Sequence, residues 1–257
     1  MPVDANKLLD RLFRPSLLRG DLRLLWHRLR RPDVVSLQGV RLQVGKHLTP
    51  FIRDTLYSGA YETDEARLLR RYLRSEHTVV ELGAGLGLLT TLCCKKIGSD
   101  RVFVYEANPE LEVVLRESFQ LNEVRPELNM CALGAESGEM RFYIRHAFWL
   151  SSGQENAMAK PEREVRVEVR DFDEEMARLP HQPDFLVCDI EGGEYDLFMG
   201  SELTGIKHIL CEVHPNFLGE KKVAEMQARL HSKGFELIDA TGKYDVWYLK
   251  NPGEPAL

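Results

Sequence analysis

The stretch VVELGAGLGLLTTL, residues 79–92, joins two apolar runs through an acid and three glycines at alternate positions. A short apolar run bounded by turn residues is typical of a buried strand, and the second run resumes as an apolar helix. The glycines, Gly83, Gly85 and Gly87, allow a ligand to approach the backbone closely. We therefore interpret the stretch as a strand, a ligand-binding turn and a helix.

Strand-like and helix-like segments alternate after this stretch. Such alternation predicts an α/β fold with a mainly parallel sheet and crossover helices. A two-residue connection near the end predicts a closing antiparallel hairpin. The predicted strands of the sheet are residues 78–82, 101–107, 127–133, 184–190, 206–213, 235–241 and 244–250. Between the third and fourth strands, EMRFYIR and VRVEVRDF enclose a polar segment, residues 145–164, which we expect to shape the substrate pocket.

The N-terminal part has a different pattern. Residues 1–31 have the spacing of an amphipathic helix broken near Pro15, and residues 34–44 have the alternation and central glycine of a short hairpin. We therefore predict two domains, an N-terminal helical arm with a short hairpin over residues 1–54 and a larger domain over residues 55–257.

The spacing of the glycines indicates which ligand the turn holds. A dinucleotide fingerprint needs G-x-G-x-x-G, but this turn reads G-x-G-x-G and has Leu88 at the place of the third glycine. The pattern E-x-G-x-G-x-G instead resembles the first motif of class I S-adenosylmethionine-dependent methyltransferases. Glu106, which ends the second strand, supports a nucleoside ligand because a carboxylate can accept hydrogen bonds from both ribose hydroxyls.

Several stretches resemble the FkbM family of methyltransferases over roughly residues 55 to 250. The block D-I-E-G-x-E is the most specific of them, and one position departs from the family, which commonly has Asn where this chain has Gly85. The matching stretches are SGAYETDE (58–65), VVELGAGLG (79–87), VYEANP (104–109), LNEV (121–124), CALG (131–134), DFLVCDIEGGE (184–194) and LCEVHP (210–215).

The resemblance implies a Rossmann-like class I methyltransferase fold with a seven-stranded sheet in the order 3-2-1-4-5-7-6. It also implies S-adenosylmethionine as the cofactor. Tyr61 and Glu62 are placed either over the methionine end of that cofactor or at the start of the helix beginning at Thr63. The residues predicted to bind the cofactor are Glu81, Gly83, Ala84, Gly85, Gly87, Glu106, Ala107, Ala132, Asp189 and Tyr61.

Four ionisable residues lie at the ends of the fourth and fifth strands, which are neighbours in this strand order. Asp189 and Glu191 end the fourth strand, and Glu212 and His214 end the fifth, so all four should meet at the carboxyl edge. Asp189, His214 and Glu191 are the predicted catalytic residues, because methylation of an alcohol requires removal of its proton. The alternative for Glu191 is a favourable charge at a helix start, and the alternative for His214 is a turn before Pro215.

A divalent cation is not expected at these residues, although Asp189, Glu212 and His214 are its candidate ligands. The Asn/Asp-Pro-Pro-aromatic motif of amino-group methylation is absent. We therefore predict O-methylation of a hydroxyl on a small molecule, natural product or glycan. The alternatives are a nicotinamide-dependent or nucleotide-sugar oxidoreductase, which Leu88 and the lack of a Tyr-x-x-x-Lys pair disfavour, and a non-catalytic cofactor-binding module.

Charge and cysteine content indicate partners and location. Residues 1–31 carry eight Lys/Arg and three Asp, a net of +5, so the total of −6 leaves −11 on the rest of the chain. An acidic body argues against a nucleic-acid partner. The basic arm either contacts an anionic membrane surface or an acidic partner, or packs its leucines on the methyltransferase body. Five cysteines without C-x-x-C spacing, and the lack of a signal-peptide pattern, predict a cytoplasmic protein.

Overall fold

The structure is a computed structural model that describes residues 15–45, 48–145, 151–153, 163–241 and 244–249, with side chains at 15–21, 216 and 249 left undescribed. The helix predicted before Pro15 and most of the polar segment 145–164 lie outside the described residues. The chain packs as two compact units, residues 1–63 and residues 64–257. The domain boundary predicted between residues 54 and 55 stays a prediction.

The first unit consists of two helices and a hairpin. Its elements are α1 (Pro15–Arg30), β1 (Val34–Leu37), β2 (Val40–Gln43) and α2 (Pro50–Ser58). β1 pairs with β2 in antiparallel register, and Gln38 and Gly39 between them both have positive φ angles, of 53° and 86°. Two positive φ angles are typical of the tightest hairpin turns. The predicted hairpin is therefore confirmed.

The second unit is an α/β domain. Its helices are α3 (Thr63–Tyr72, whose first residue belongs to the first unit), α4 (Leu88–Ile97), α5 (Glu112–Leu121), α6 (Phe172–Arg178), α7 (Glu194–Gly200) and α8 (Pro215–Ser232). Its strands are β3 (Val79–Leu82), β4 (Val102–Tyr105), β5 (Glu127–Asn129), β6 (Ala132–Gly134), β7 (Gly138–Ile144), β8 (Arg163–Asp171), β9 (Phe185–Cys188), β10 (His208–Glu212), β11 (Phe235–Ala240) and β12 (Tyr244–Leu249).

Seven strands form the main sheet, in the order β11-β12-β10-β9-β3-β4-β5. β3, β4, β5, β9 and β10 are parallel, whereas β12 is antiparallel to both β10 and β11. Counted along the chain, this is the predicted order 3-2-1-4-5-7-6. The mainly parallel sheet and its closing antiparallel hairpin are confirmed.

The third predicted strand, residues 127–133, is wrong in extent. Its first residues form β5 in the main sheet, but the chain then leaves that sheet, and β6 pairs with β8 in a separate three-stranded sheet, β6-β8-β7. Asn129 and Cys131 flank the break, and Cys131 is buried in a core cluster. One apolar run therefore serves two sheets, which periodicity alone does not reveal.

The core explains why the central strands are apolar throughout. Every residue of β3, β4 and β9 is buried. Neighbouring strand residues face opposite sides: Val79 packs in a cluster with helices α3, α4 and α5, and Val80 packs in one with α6, α7 and α8. The five cysteines are free and buried, as predicted, while the cytoplasmic location stays a prediction. No helix in the described part of the chain combines the length and apolarity needed to cross a membrane.

Candidate active site

The glycine turn lies between β3 and α4 at the carboxyl edge of the main sheet. Gly83, Gly85 and Gly87 have φ angles of 79°, 53° and 79°, in the left-handed region that favours glycine. A Cβ atom on Gly83 would lie 1.9 Å from the backbone oxygen of Asp189, so this glycine permits β3 and the end of β9 to approach each other. Gly87 directly precedes α4 and packs against Phe119 of α5.

Glu106 follows β4 and fixes the shape of this turn. Its Oε2 accepts a hydrogen bond from the N–H of Ala84 at 2.9 Å, and its Oε1 accepts one from the N–H of Asn108 at 2.7 Å. Burial raises the pKa of Glu106, and the surrounding backbone N–H groups oppose that shift by favouring the carboxylate. The predicted ribose-binding acid is therefore buried, oriented and adjacent to the turn.

Glu81, the acid of the first motif, lies inside the domain. It is a buried residue of β3, and its Oε2 accepts a hydrogen bond from the Thr90 hydroxyl of α4 at 2.6 Å. Burial raises its pKa to about 8. The structure thus shows Glu81 joining β3 to α4, and its contact with a cofactor stays a prediction.

Asp189 directly follows β9, beside Gly83. Its N–H donates to the carbonyl of Leu82 at 2.9 Å, which continues the pairing of β9 with β3 by one residue. Its side chain keeps 40% of its surface exposed, but Oδ1 is buried and accepts no hydrogen bond from the described residues. Glu191 then turns the chain with a φ angle of 51°, a conformation that is uncommon for residues other than glycine and clusters at functional sites.

His214 is the centre of the ionisable cluster. Its Nδ1 lies 2.7 Å from Oε1 of the fully buried Glu194. Its Nε2 faces three carboxylates, at 3.2 Å from Glu191, 3.5 Å from Glu212 and 3.7 Å from Asp189. The structure therefore brings together all four residues that the sequence placed at this edge. The adjoining Pro215 is the first residue of α8, so His214 also precedes a helix.

The pKa values of the cluster follow from burial and mutual charge. Burial opposes the charged form of His214, but the hydrogen bond to Glu194 and the attraction of Glu194, Glu191 and Asp189 outweigh it and raise its pKa to about 9. Burial and the neighbouring carboxylates of Glu212 and Glu191 raise the pKa of Asp189 well above its ordinary value. The protonated imidazole thus compensates part of the negative charge of the acids around it.

The same residues include the donor set of a divalent cation. One ligand atom each from Asp189, Glu212 and His214 lies within 4.8 Å of the other two. Two carboxylates and an imidazole suit several divalent metals. The same three side chains also suit a cluster that shares protons.

The remaining predicted cofactor residues lie in two places. Ala107 follows β4 and Ala132 begins β6, and both pack against the apolar cluster of Phe142, Ile144 and Val167 in the second sheet. That sheet therefore lies beside the region after β4 where the cofactor is predicted. Tyr61 is buried within the first unit, and its contact with a cofactor stays a prediction.

Two residues near the cluster were not predicted as site residues. Glu194 is the last acid of the E-G-G-E block, where its spacing from Glu191 was the available signal. Arg145 follows β7 and is buried; it donates hydrogen bonds to the carbonyl of Tyr143 at 3.1 Å and to the hydroxyl of Ser152 at 3.3 Å. Burial lowers the pKa of Arg145 and the nearby charge of Glu191 opposes that shift. No spacing in the sequence indicates that Arg145 lies near Glu191.

Solved structures of methyltransferases are similar to this chain in fold. The tRNA (uracil-54, C5)-methyltransferase of Pyrococcus abyssi, in complex with S-adenosyl-L-homocysteine, has a TM-score of 0.50 and 9% identity, over 84% of this chain and 44% of that one. A methyltransferase from Pyrococcus furiosus has a TM-score of 0.48 and 11% identity, over 89% of this chain and 96% of that one. TYW2 of M. jannaschii, in complex with AdoMet, has a TM-score of 0.43 and 12% identity, over 83% and 82%.

No curated protein sequence matches the chain. The fold of the second unit is that of Rossmann-like class I methyltransferases, as predicted. The sequence profile of the methyltransferase FkbM domain matches residues 82–237, which include the glycine turn, Glu106 and the cluster around His214. The chain therefore belongs to the FkbM methyltransferase domain family.

Proposed function

We propose that the protein is an S-adenosylmethionine-dependent O-methyltransferase that acts on a hydroxyl of a small molecule, natural product or glycan. The observation that carries the proposal is the arrangement around His214, where four carboxylates lie within 3.7 Å of the ring nitrogens at the edge that also holds the glycine turn. An alcohol is a very weak acid, so its methylation requires groups that take up a proton. Family membership supports the methyl transfer itself.

The residues at the carboxyl edge fit S-adenosylmethionine. Gly83 to Gly87 supply an open turn, and the Glu106 carboxylate uses two acceptor positions for the N–H groups of Ala84 and Asn108. The N–H groups of Gly85 and Ala107 also favour the ionised carboxylate, so ribose hydroxyls would share its acceptor positions with these backbone groups. When bound, S-adenosylmethionine would supply an activated methyl group, while the chain orients the reactants and handles the proton.

Asp189 is the residue that we assign to the proton of the acceptor hydroxyl. The exposed fraction of the side chains is 40% at Asp189, 18% at Glu191, 11% at His214, 9% at Glu212 and 0% at Glu194, so Asp189 is the most accessible member of the cluster. Glu194 fixes Nδ1 of His214, and the charge of the ring only partly opposes the raised pKa of Asp189, so that its carboxylate, when ionised, is a stronger base than an ordinary aspartate. The carboxylate of Asp189 would then accept the proton as the oxygen is methylated.

A divalent cation is the competing account of the same residues. A metal-bound imidazole nitrogen carries no proton, so a cation on His214 must displace the proton that its raised pKa retains at neutral pH. We propose the metal-free reaction, in which His214 keeps that proton. The two accounts differ in one measurable respect, because only the second predicts loss of activity with a chelator.

The proposal is tested by transfer of labelled methyl groups to a panel of alcohols and amines. The variants Asp189→Asn and His214→Asn should lower turnover about 100-fold or more while the affinity for S-adenosylhomocysteine changes much less. The matched control is Glu220→Gln, at an exposed residue of α8. Undiminished turnover of both variants at saturating cofactor removes the proton-transfer roles, and loss with chelator that Mg²⁺ or Mn²⁺ restores supports the metal-bound version.

Cofactor binding is measured separately by calorimetry. Glu106→Gln should weaken binding of S-adenosylhomocysteine by about 1 to 3 kcal/mol through loss of hydrogen bonds to ribose. The control is Glu110→Gln, whose exposed side chain pairs with Arg163. Binding of NAD instead would support an oxidoreductase, and binding without transfer to any acceptor would support a non-catalytic module.

A further inference from the structure

One face of α1 presents a continuous apolar stripe. Its four members, Leu22, Leu25, Trp26 and Leu29, are spaced at i, i+3, i+4 and i+7 and therefore lie on the same side of the helix. Their exposed fractions range from 51% to 78%. Six of the nine large apolar side chains that are exposed in the described residues belong to the first unit. Clustered apolar exposure of this kind indicates an interaction surface.

The opposite face of α1 already has its partners within the first unit. The buried His27 pairs through Nδ1 with the carbonyl of Tyr57 at 2.8 Å. Arg28 forms an ion pair with Asp54 of α2, and Arg23 donates to the carbonyl of Ser36 at 2.7 Å. These contacts fix the rotation of α1 about its axis. The apolar stripe is therefore held outward by the packing of the other face.

Basic residues flank the stripe. The guanidinium of Arg30 lies over the ring of Trp26 at 5.1 Å from its centroid, and Arg30 and Arg31 are both exposed. The net charge of residues 1–31 is +5, from eight Lys/Arg and three Asp. The rest of the chain carries −11, which gives the total of −6. An apolar helix face bordered by arginines, with a tryptophan on it, matches the interface of an anionic bilayer.

We propose that α1 docks on an anionic membrane surface, lying in the plane of the interface with Leu22, Leu25, Trp26 and Leu29 inserted and the flanking arginines at the lipid headgroups. A helix with an exposed apolar face can lie in the plane of a lipid surface. The basic residues beside that face favour acidic over neutral lipids. The proposal does not rest on the proposed function, because the measurement below does not use enzyme activity.

The experiment measures co-sedimentation of the intact protein with vesicles of phosphatidylcholine, with and without phosphatidylserine. We expect binding to the anionic vesicles at low salt, weakening as salt rises, and little binding to phosphatidylcholine alone. Leu25→Glu/Leu29→Glu should reduce binding about tenfold or more. The control is Val113→Glu, which adds one negative charge at a residue of α5 that is 66% exposed and should bind as the unmodified chain does.

A second readout uses no variant. Trp26 is one of three tryptophans and is exposed, whereas Trp247 is buried, so insertion of the stripe should shift the emission of Trp26 to shorter wavelength when anionic vesicles are added. Absence of binding at low salt overturns the proposal. So does equal loss of binding in Val113→Glu. A dimer that Leu25→Glu/Leu29→Glu dissociates, with no vesicle binding, assigns the stripe to a second copy of the chain and likewise overturns it.

Discussion

At the scale of the residue, the two nitrogens of His214 have different surroundings. Nδ1 is held by Glu194, and Nε2 faces Glu191, Glu212 and Asp189. Nδ1 therefore has one close partner that fixes the ring, and Nε2 remains for exchange with the acids nearest the surface. Such an arrangement, in which a carboxylate orients a histidine, is common where a histidine acts in chemistry.

Glu194 should therefore act as a positioning residue through His214. In Glu194→Gln the amide oxygen can still accept the hydrogen bond, but the negative charge is lost, so the pKa of His214 should fall from about 9 by about one unit or more. NMR titration of labelled histidines measures this shift, and Glu220→Gln is the control for loss of one exposed acid. An unchanged His214 titration in Glu194→Gln would contradict the assigned role.

The raised pKa of His214 also predicts how stability depends on pH. Its folded pKa of about 9 exceeds the ordinary value of 6.5, so the protonated ring contributes stability that is fully present below pH 6.5 and is lost as pH rises through 9. That contribution is at most roughly 3 kcal/mol. Burial raises the pKa of Glu81 to about 8. The stability that its protonated form contributes is therefore also lost as pH rises from the ordinary pKa of 4.5 through 8.

Urea unfolding at pH 6.5 and pH 9 checks this prediction. The free energy of unfolding should be lower at pH 9, and the difference should be smaller in His214→Asn than in the unmodified chain. His181→Asn, at an exposed histidine, is the control. The prediction is wrong if His214→Asn loses as much stability over this range as the unmodified chain does.

At the scale of the element, the close approach of β3 and β9 depends on Gly83. In Gly83→Ala, the new Cβ atom would meet the backbone oxygen of Asp189 at 1.9 Å, and the residue would keep a φ angle of 79°. The positive φ angle alone costs about 1 to 2 kcal/mol. Because the contact is with backbone, the two strands must also separate, so we expect a total loss of about 3 kcal/mol or more.

The control for Gly83→Ala is Gly138→Ala, at the start of β7. No described atom lies within 4 Å of a Cβ atom there, and its φ angle is not in the left-handed region. Its effect on the free energy of unfolding should be within about 0.5 kcal/mol. Equal losses in the two variants would show that the approach of β3 to β9 does not depend on the missing side chain.

Also at this scale, the second sheet shows where sequence periodicity is insufficient. Residues 127–133 form one apolar run, and an apolar run predicts one strand. In the structure the run is divided between β5 and β6, because β6 pairs with β8, which lies about 30 residues further along the chain. Pairing between strands that are distant in sequence is decided by tertiary packing, so the division could not be read from the run itself.

At the scale of the whole molecule, the net charge of the chain indicates that its substrate differs from that of a tRNA methyltransferase of similar fold. One of the three similar solved structures described above is a tRNA methyltransferase. The acidic body of this chain, with −11 outside residues 1–31, lacks the excess of Lys/Arg that a phosphate backbone requires. We therefore expect no methyl transfer to tRNA and no binding of tRNA at about 0.15 M salt.

Incorporation of labelled methyl groups into tRNA, together with filter binding over a range of salt concentrations, checks this expectation. Weak binding at low salt that disappears near physiological salt is consistent with the basic arm alone. The comparison that matters is with the alcohol panel in the same assay. Labelled tRNA would overturn the expectation and the assignment of the acceptor to small molecules or glycans.

The sequence by itself determined the local features of this protein. Gly83, Gly85 and Gly87 determined the turn, since few other residues adopt its φ angles, and the continuous apolar runs determined which strands are buried on both faces. Family motifs then predicted the order of the main sheet, because a doubly wound fold permits few strand orders. The carboxyl edge was predictable because parallel strands end on the same side.

The tertiary structure alone decided which carboxylates contact His214 and which ring nitrogen each of them contacts. Glu194 and Arg145 come from a helix start and from the end of β7, and their contacts depend on side-chain directions that no spacing specifies. It also decided which face of α1 remains exposed, because an amphipathic pattern does not say whether its apolar side or its polar side meets the neighbouring helix. Here His27 and Arg28 contact α2, and Leu22, Leu25 and Leu29 face outward.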